Sequence, residues 1–375
     1  MLDDIQVLDL SHLLPGQYAT ALLSQLGAEV VSVEPPEGDY LRQYPASFAA
    51  FNHSKRSLTL DLKDEAGLEA FLSLAETADV IVEEFRPGVA ERLGVNYEAV
   101  STRNPSIVYC SVSGHGQESP RADHVGHDLN YIGLAGVLDL SPQQDGLPQL
   151  PPVLVADVTT GIFAALCVAA AVHDSDGEYI DLSMTDAALN AMAVHLAEYT
   201  GRGGQLQRGN SAMLGAYPAN AVYTCADGRL LTVAAIEPKF WNALCEALSL
   251  EQFEDDQWPQ DDDVRERMFE AFRTRFQQRP REEWLELFDQ STVPVEPVQS
   301  LSEVFEDEAF ASRGALQSVD LGGTEFPVTT VPARFRTHDV ALTDPPQLGE
   351  HSKTILEAAG LSTAEIDALL NSTTR

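Results

Sequence analysis

Three observations predict an α/β fold: a parallel, doubly wound sheet followed by a smaller α+β module. Short apolar strand patterns alternate with helical patterns through the first half of the chain. The glycine-rich stretch from Gly201 to Ser211 then breaks that alternation. Beyond it a hairpin pattern is followed by consecutive helices.

The elements read in order. Ile5–Leu10 is a short buried strand, Pro15-Gly16 a breaker, and Tyr18–Leu26 a helix stopped at Gly27. Val30–Val33 is the next strand, closed by Pro35-Pro36, which makes a βαβ start. Leu58–Leu62, Ala78–Val82 and Ile107–Val112 continue the strands, with an amphipathic helix at Asp64–Ala75. Arg86-Pro87-Gly88 turns the chain into Val89–Leu93. A helix from Thr160 to His173, a strand at Tyr179–Ser183 and a helix at Thr185–Tyr199 complete the run, as in a doubly wound sheet. Gly114-His115-Gly116 follows a strand, but no dinucleotide fingerprint develops, so nicotinamide binding is not expected.

In the second module, Ala221–Thr224 and Leu230–Ala234 flank the turn Ala226-Asp227-Gly228. Helices are predicted at Lys239–Leu248, Asp263–Phe276 and Pro280–Phe288, then a stiff segment at Val293–Val298. A helix at Ser352–Ala359 stops at Gly360, and Ser362 with Glu365 spells a capping box for a last helix reaching Leu370.

Charge is the outlying feature. The chain carries 58 acidic against 23 basic residues, a net charge of -35 spread along its length, and only four lysines. Such a surface repels itself until salt screens it, over a Debye length of about 3 Å at 1 M. A salt-adapted cytoplasmic protein is therefore expected, with neither nucleic acid nor an anionic membrane as a general partner. Cys110, Cys167, Cys225 and Cys245 are scattered, which predicts reduced core residues and no metal site. The start Met-Leu-Asp-Asp has no signal-peptide pattern, and the apolar run Gly161–Val172 is too short for a membrane span.

Two polar stretches stand out chemically. Asp123–Tyr131 holds His124 and His127, and Leu154–Thr160 puts Asp157 at a helix start. A histidine and a carboxylate on opposite faces of one carbon make a two-base proton-transfer site. The plainer readings are an N-cap for Asp157 and a satisfied or surface histidine for His127.

Several motifs together resemble the family III CoA transferases. They are the run Asp9–Pro36, containing LLSQLGAEVVSVEPP; Asn52–Ser57 followed by LTLDLK; ADVIVEEFRPGVAERLG; SVSGHGQ; Gly177–Ser183; and Cys225-Ala-Asp-Gly-Arg229. The resemblance covers essentially the whole chain. Within that family the chain is most similar to the α-methylacyl-CoA racemases, on Gly126–Tyr131 and Ala235-Ile236-Glu237-Pro238. Transferases of the family usually have tyrosine where His127 stands, and many carry a glycine-rich loop near Ala234-Ala235.

The resemblance implies a Rossmann-like large domain formed by residues 1–200 and 328–375, a small α+β domain at 201–327, and an interlocked homodimer. It implies an acyl-CoA substrate, CoA being part of the substrate, and no separate cofactor. Racemisation at C2 of a 2-methylacyl-CoA would use His127 and Asp157 as the two bases, with Glu237 holding the histidine. Lys55, Arg56, Arg86 and Arg92 fall on positions near the nucleotide, with Arg42 a weaker candidate, though charge balance would also explain them. Asp128 would cap the following helix and leave its first amides for the enolate oxygen. His12, His53, His115 and His124 are read as bystanders. The competing functions are a CoA transferase using Asp157 as nucleophile and a CoA-binding protein without catalysis.

Overall fold

The computed structural model describes residues 1–173, 176–288 and 292–372. The chain forms two compact units: Met1–Leu138, Leu150–Ala193 and Glu308–Arg375 make the first, and Asp139–Gln149 with Val194–Asp307 the second. Both boundaries differ from the expected 200/201 and 327/328. The predicted helix Thr185–Tyr199 is broken at Met192 into Met184–Ala191 and Ala193–Gly201. The return comes earlier because the hairpin Leu316–Leu321/Thr324–Thr329 belongs to the first unit. Val319 and Val328 pack there on Ala49.

The first unit holds a six-stranded parallel sheet. Its strands are β1 (Gln6–Asp9), β2 (Glu29–Glu34), β3 (Arg56–Thr59), β4 (Val80–Glu83), β5 (Val108–Ser113) and the edge strand Glu178–Ser183. The order is β3-β2-β1-β4-β5 and then the edge strand. Val7 is in register with Val30 on one side and Val80 on the other. Strands covered on both faces are mostly apolar, which is why they read as short near-continuous runs, with buried polar exceptions such as Asp9 and Glu34. Successive side chains go to opposite faces. Leu8, Val31 and Ile81 enter one core with Phe71, Tyr109 and the C-terminal Leu356. Val7, Val30 and Val80 enter the other with Ala156, Ala164 and Val168.

The helix Leu14–Gln25 begins before the expected breaker. Pro15 sits in its first turn, where a missing N–H costs nothing. The helix Val155–Ala171 lies against it, and Gly161 makes the contact possible. A Cβ there would come within 2.8 Å of the Tyr18 ring and 3.0 Å of the Pro15 carbonyl oxygen. At the C-terminus, the Ser362 N–H donates to Glu365 at 2.8 Å, as the capping pattern predicts.

In the second unit, Asn220–Thr224, Leu230–Ala234 and Val295–Pro297 form an antiparallel sheet. The stiff segment thus supplies a third strand. The helices Pro238–Leu248, Asp262–Phe276 and Arg281–Leu287 cover it, with Tyr223, Trp241, Phe272 and Phe276 as their shared core.

Candidate active site

Strand order reverses between β1 and β4, and in open α/β sheets ligands occupy the crevice outside the carboxyl ends at that point. The loops leaving β1, β4 and β5 meet there with Gly126-His127 and the start of the helix Val155–Ala171. They enclose a cavity of about 760 Å³. His127, Asp157, Arg86 and Tyr131 all line it.

Tyr131 shapes the histidine-bearing segment. Its hydroxyl donates to the Gly126 carbonyl at 2.7 Å. A Cβ on Gly114 would approach that hydroxyl to 2.6 Å, and one on Gly126 would come within 2.9 Å of the ring. Glycine at both positions is what lets the ring lie between the two loops. His127 is the extended N-cap residue of the helix Asp128–Leu134, its N–H donating to Asn130 Oδ1 at 3.1 Å. Its side chain is exposed.

Asp128 departs from expectation. It begins the helix after His127, yet its carboxylate caps a different helix. Oδ1 accepts the N–H of Ala156 at 2.7 Å and of Asp157 at 3.3 Å. Asp128 is buried, at 7% exposure, and its carboxylate is engaged as this cap. The cap ties the His127 segment to the helix carrying Asp157. Burial first, and the Asp128 charge second, push the Asp157 carboxyl up to about 6. Asp128→Ala is expected to lower unfolding free energy by about 1 kcal/mol, the usual cost of a lost cap. Asp128→Asn keeps an acceptor and removes the charge. It should spare stability, measured by urea titration, while lowering the Asp157 pKa measured by NMR. An unchanged Asp157 pKa in Asp128→Asn would refute the electrostatic link.

The predicted cations separate sharply. Lys55 is corrected: it is fully buried, its Nζ 2.9 Å from Asp9 and donating also to Asn52 Oδ1 and the Gln17 carbonyl. It neutralises a carboxylate that would be very costly to bury alone, and its ammonium is already engaged inside the protein. Arg56 is also corrected. It starts β3, at the end of the sheet opposite the cavity, bonded to Glu29 and to Thr354 Oγ1 at 3.1 Å. Arg42 forks onto Glu34 at 2.6 and 2.7 Å and covers the Phe48 ring. Arg92 ends the short helix Val89–Leu93, exposed and outside the cavity lining. Arg86 alone of these lines the cavity, and among the described residues no carboxylate pairs with it.

His124, read as a bystander, also lines the cavity, and its ring is 6.0 Å from that of His115. His53 is buried, and burial pushes its pKa down to about 4. His12 lies 3.3 Å from Asp39. Burial alone would lower its pKa, but the carboxylates of Asp39, Glu84 and Asp9 together outweigh it and the net shift is upward. Glu237 belongs to the second unit. It is exposed at the head of the helix Pro238–Leu248, and Gln257 grips the two preceding carbonyls at 2.8 and 2.7 Å.

Glu84 was missed in the sequence. It lines the cavity, and its carboxylate accepts the backbone N–H groups of His12 at 2.8 Å, Gly16 at 3.0 Å and Leu13. Burial pushes its carboxyl up to about 7 against those amides. The available signal was an acidic pair, Glu83-Glu84, directly after an apolar strand.

Comparison with known proteins gives consistent relatives. A family model described as CoA-transferase family III matches residues 2–352. A succinyl-CoA:mesaconate CoA-transferase of Haloarcula hispanica is 32% identical, the match covering 96% of this chain and 97% of that one. The human α-methylacyl-CoA racemase is 31% identical over 97% of this chain and 95% of its own. A solved CAIB/BAIF family protein from Brucella suis superposes with a TM-score of 0.82 at 28% identity, covering 96% and 99% of the two chains.

Proposed function

Because the chain belongs to CoA-transferase family III, a family of CoA transferases and racemases, we propose that it racemises 2-methylacyl-CoA thioesters at C2. His127 and Asp157 line one cavity, and this single observation carries the assignment. A thioester carbonyl acidifies the proton on C2 by delocalising the resulting carbanion as an enolate. In one direction the imidazole of His127 takes that proton while protonated Asp157 delivers its own to the opposite face. The reverse direction exchanges the roles. The two bases must titrate close together for both directions to run. An Asp157 carboxyl raised to about 6 keeps a larger protonated fraction near neutrality, as a group that must both give and take the proton requires.

Arg86 is the residue we assign to a CoA phosphate, since its fork of donors at the cavity wall has no carboxylate partner among the described residues. A homodimer completes the proposal. The helix bearing Asp157 exposes Ile162 and Leu166, at 45% and 59%, as a face for a second copy. Glu237 of the second copy would hold one ring nitrogen of His127. A monomer mass in sedimentation equilibrium at micromolar concentration would exclude this arrangement. Salt adaptation, inferred from the net charge of -35, predicts activity that rises toward molar salt.

A second reading has its own support. The 32% identity to the Haloarcula hispanica transferase, with no side-chain hydrogen bond to the Asp157 carboxylate among those described, suits a nucleophile. Asp157 would then form an acyl anhydride and next an aspartyl-CoA thioester. The deciding measurement is mass spectrometry of the acyl-CoA in deuterated solvent, with no acceptor acid present. Deuterium entering C2 is the expected result. No wash-in, together with CoA transfer to an added carboxylic acid and hydroxylamine trapping at Asp157, would replace racemisation by transfer.

A further inference from the structure

We propose that Glu84 is a positioning residue, a built-in carboxyl acceptor for the amides where the helix Leu14–Gln25 begins, and that it sets the cavity wall against the helix carrying Asp157. In doubly wound folds the turn after the first strand and the helix it opens are where a ligand phosphate settles, because free N–H groups and the helix dipole point there. In this chain the Glu84 carboxylate, arriving from β4, already receives the N–H groups of His12, Leu13 and Gly16. That agrees with the absence of a glycine fingerprint at Ser11–Gly16: no room is kept for an external phosphate. Phosphates of a ligand are left to other groups, of which Arg86 lines the same cavity.

The held segment reaches Asp157 through direct packing. Leu13, Leu14 and Pro15 are cavity wall. The Pro15 carbonyl and the Tyr18 ring press on Gly161, at distances that leave no room for a Cβ. Gly161 stands one helical turn after Asp157, on the same face. Releasing the three amides therefore loosens the surface against which the Asp157 helix is seated. The link from Glu84 to turnover rests on Asp157 being the reacting carboxylate.

Chemical rescue tests this. Glu84→Ala opens a space the size of a short carboxylate above three amide donors. With a 2-methylacyl-CoA as substrate, the expected result is at least a ten-fold fall in kcat for α-proton exchange with KM little changed. Acetate should restore kcat saturably, and chloride at equal ionic strength should not. Glu84→Gln offers one acceptor oxygen but sets an NH₂ against an amide donor, so it should fall between parent and alanine variant. It also serves if the alanine variant fails to fold. Hydrogen exchange of residues 12–17 gives a readout independent of catalysis: protection should drop in Glu84→Ala and return with acetate. Unchanged kcat and protection, or loss of both without recovery in acetate, would overturn the proposal. A parent without α-proton exchange, but with acetate-restored protection in the variant, upholds the carboxylate seat and sinks the assigned reaction instead.

Discussion

His127→Ala is expected to lose α-proton exchange by about 10²–10⁴-fold, the usual worth of a positioned acid or base. Asp157→Ala should lose a similar factor. In the proposed mechanism each residue performs half of one proton relay, so the double variant should be hardly worse than either single one. CoA-thioester binding should survive in all three, because neither side chain is assigned to the phosphates. Isotope exchange at C2 and equilibrium binding, measured on the same preparations, check both statements. The pair also separates the two chemistries. A transferase needs Asp157 as nucleophile and has no use for a base at 127. Retained CoA transfer in His127→Ala, with complete loss in Asp157→Ala, would therefore reject the two-base mechanism.

Asp157→Asn is expected to make the protein more stable at pH 8 and to lose most of that gain by pH 4. Burial and the Asp128 charge raise the Asp157 carboxyl from 3.8 to about 6 in the folded chain. Between those values the folded state holds more protons than the unfolded state. Stability therefore falls as pH rises through that window, and the penalty is complete above it. Each pKa unit corresponds to about 1.4 kcal/mol, which sets a ceiling of ~3 kcal/mol. Partial exposure of Asp157 screens the charge and brings the real figure below that. Thermal unfolding of parent and variant at the two pH values reads the effect directly. A variant less stable than the parent at pH 8 would mean that the ionised carboxylate is stabilised, contrary to its environment. A gain in stability on losing Asp157 is the trade expected if it is the reacting carboxylate of the proposed mechanism.

Much of this molecule was legible from local pattern. Runs such as Val30–Val33 and Ala78–Val82 announced buried parallel strands, because a strand covered on both faces has no polar side to show. The hairpin around Asp227-Gly228 and the cap at Ser362 and Glu365 depend on neighbours a few residues apart. His127 and Asp157 stood out as chemistry-bearing residues at element starts, and the fold brings both to one cavity. Tertiary structure decided what those patterns left open. Lys55 and Arg42 resembled ligands for phosphate in an acidic chain, but their carboxylate partners, Asp9 and Glu34, lie on neighbouring strands and become adjacent only after folding. Asp128 was assigned to the helix that follows it, yet the helix it caps begins at Val155. Glu84 gained its meaning only where the end of β4 meets the amides after β1. The division has one physical reason. Strand, turn and cap preferences are set by short-range geometry and by the burial of apolar side chains. A charged side chain instead finds its partner by escaping desolvation, and nothing local in the sequence names which distant group will be there.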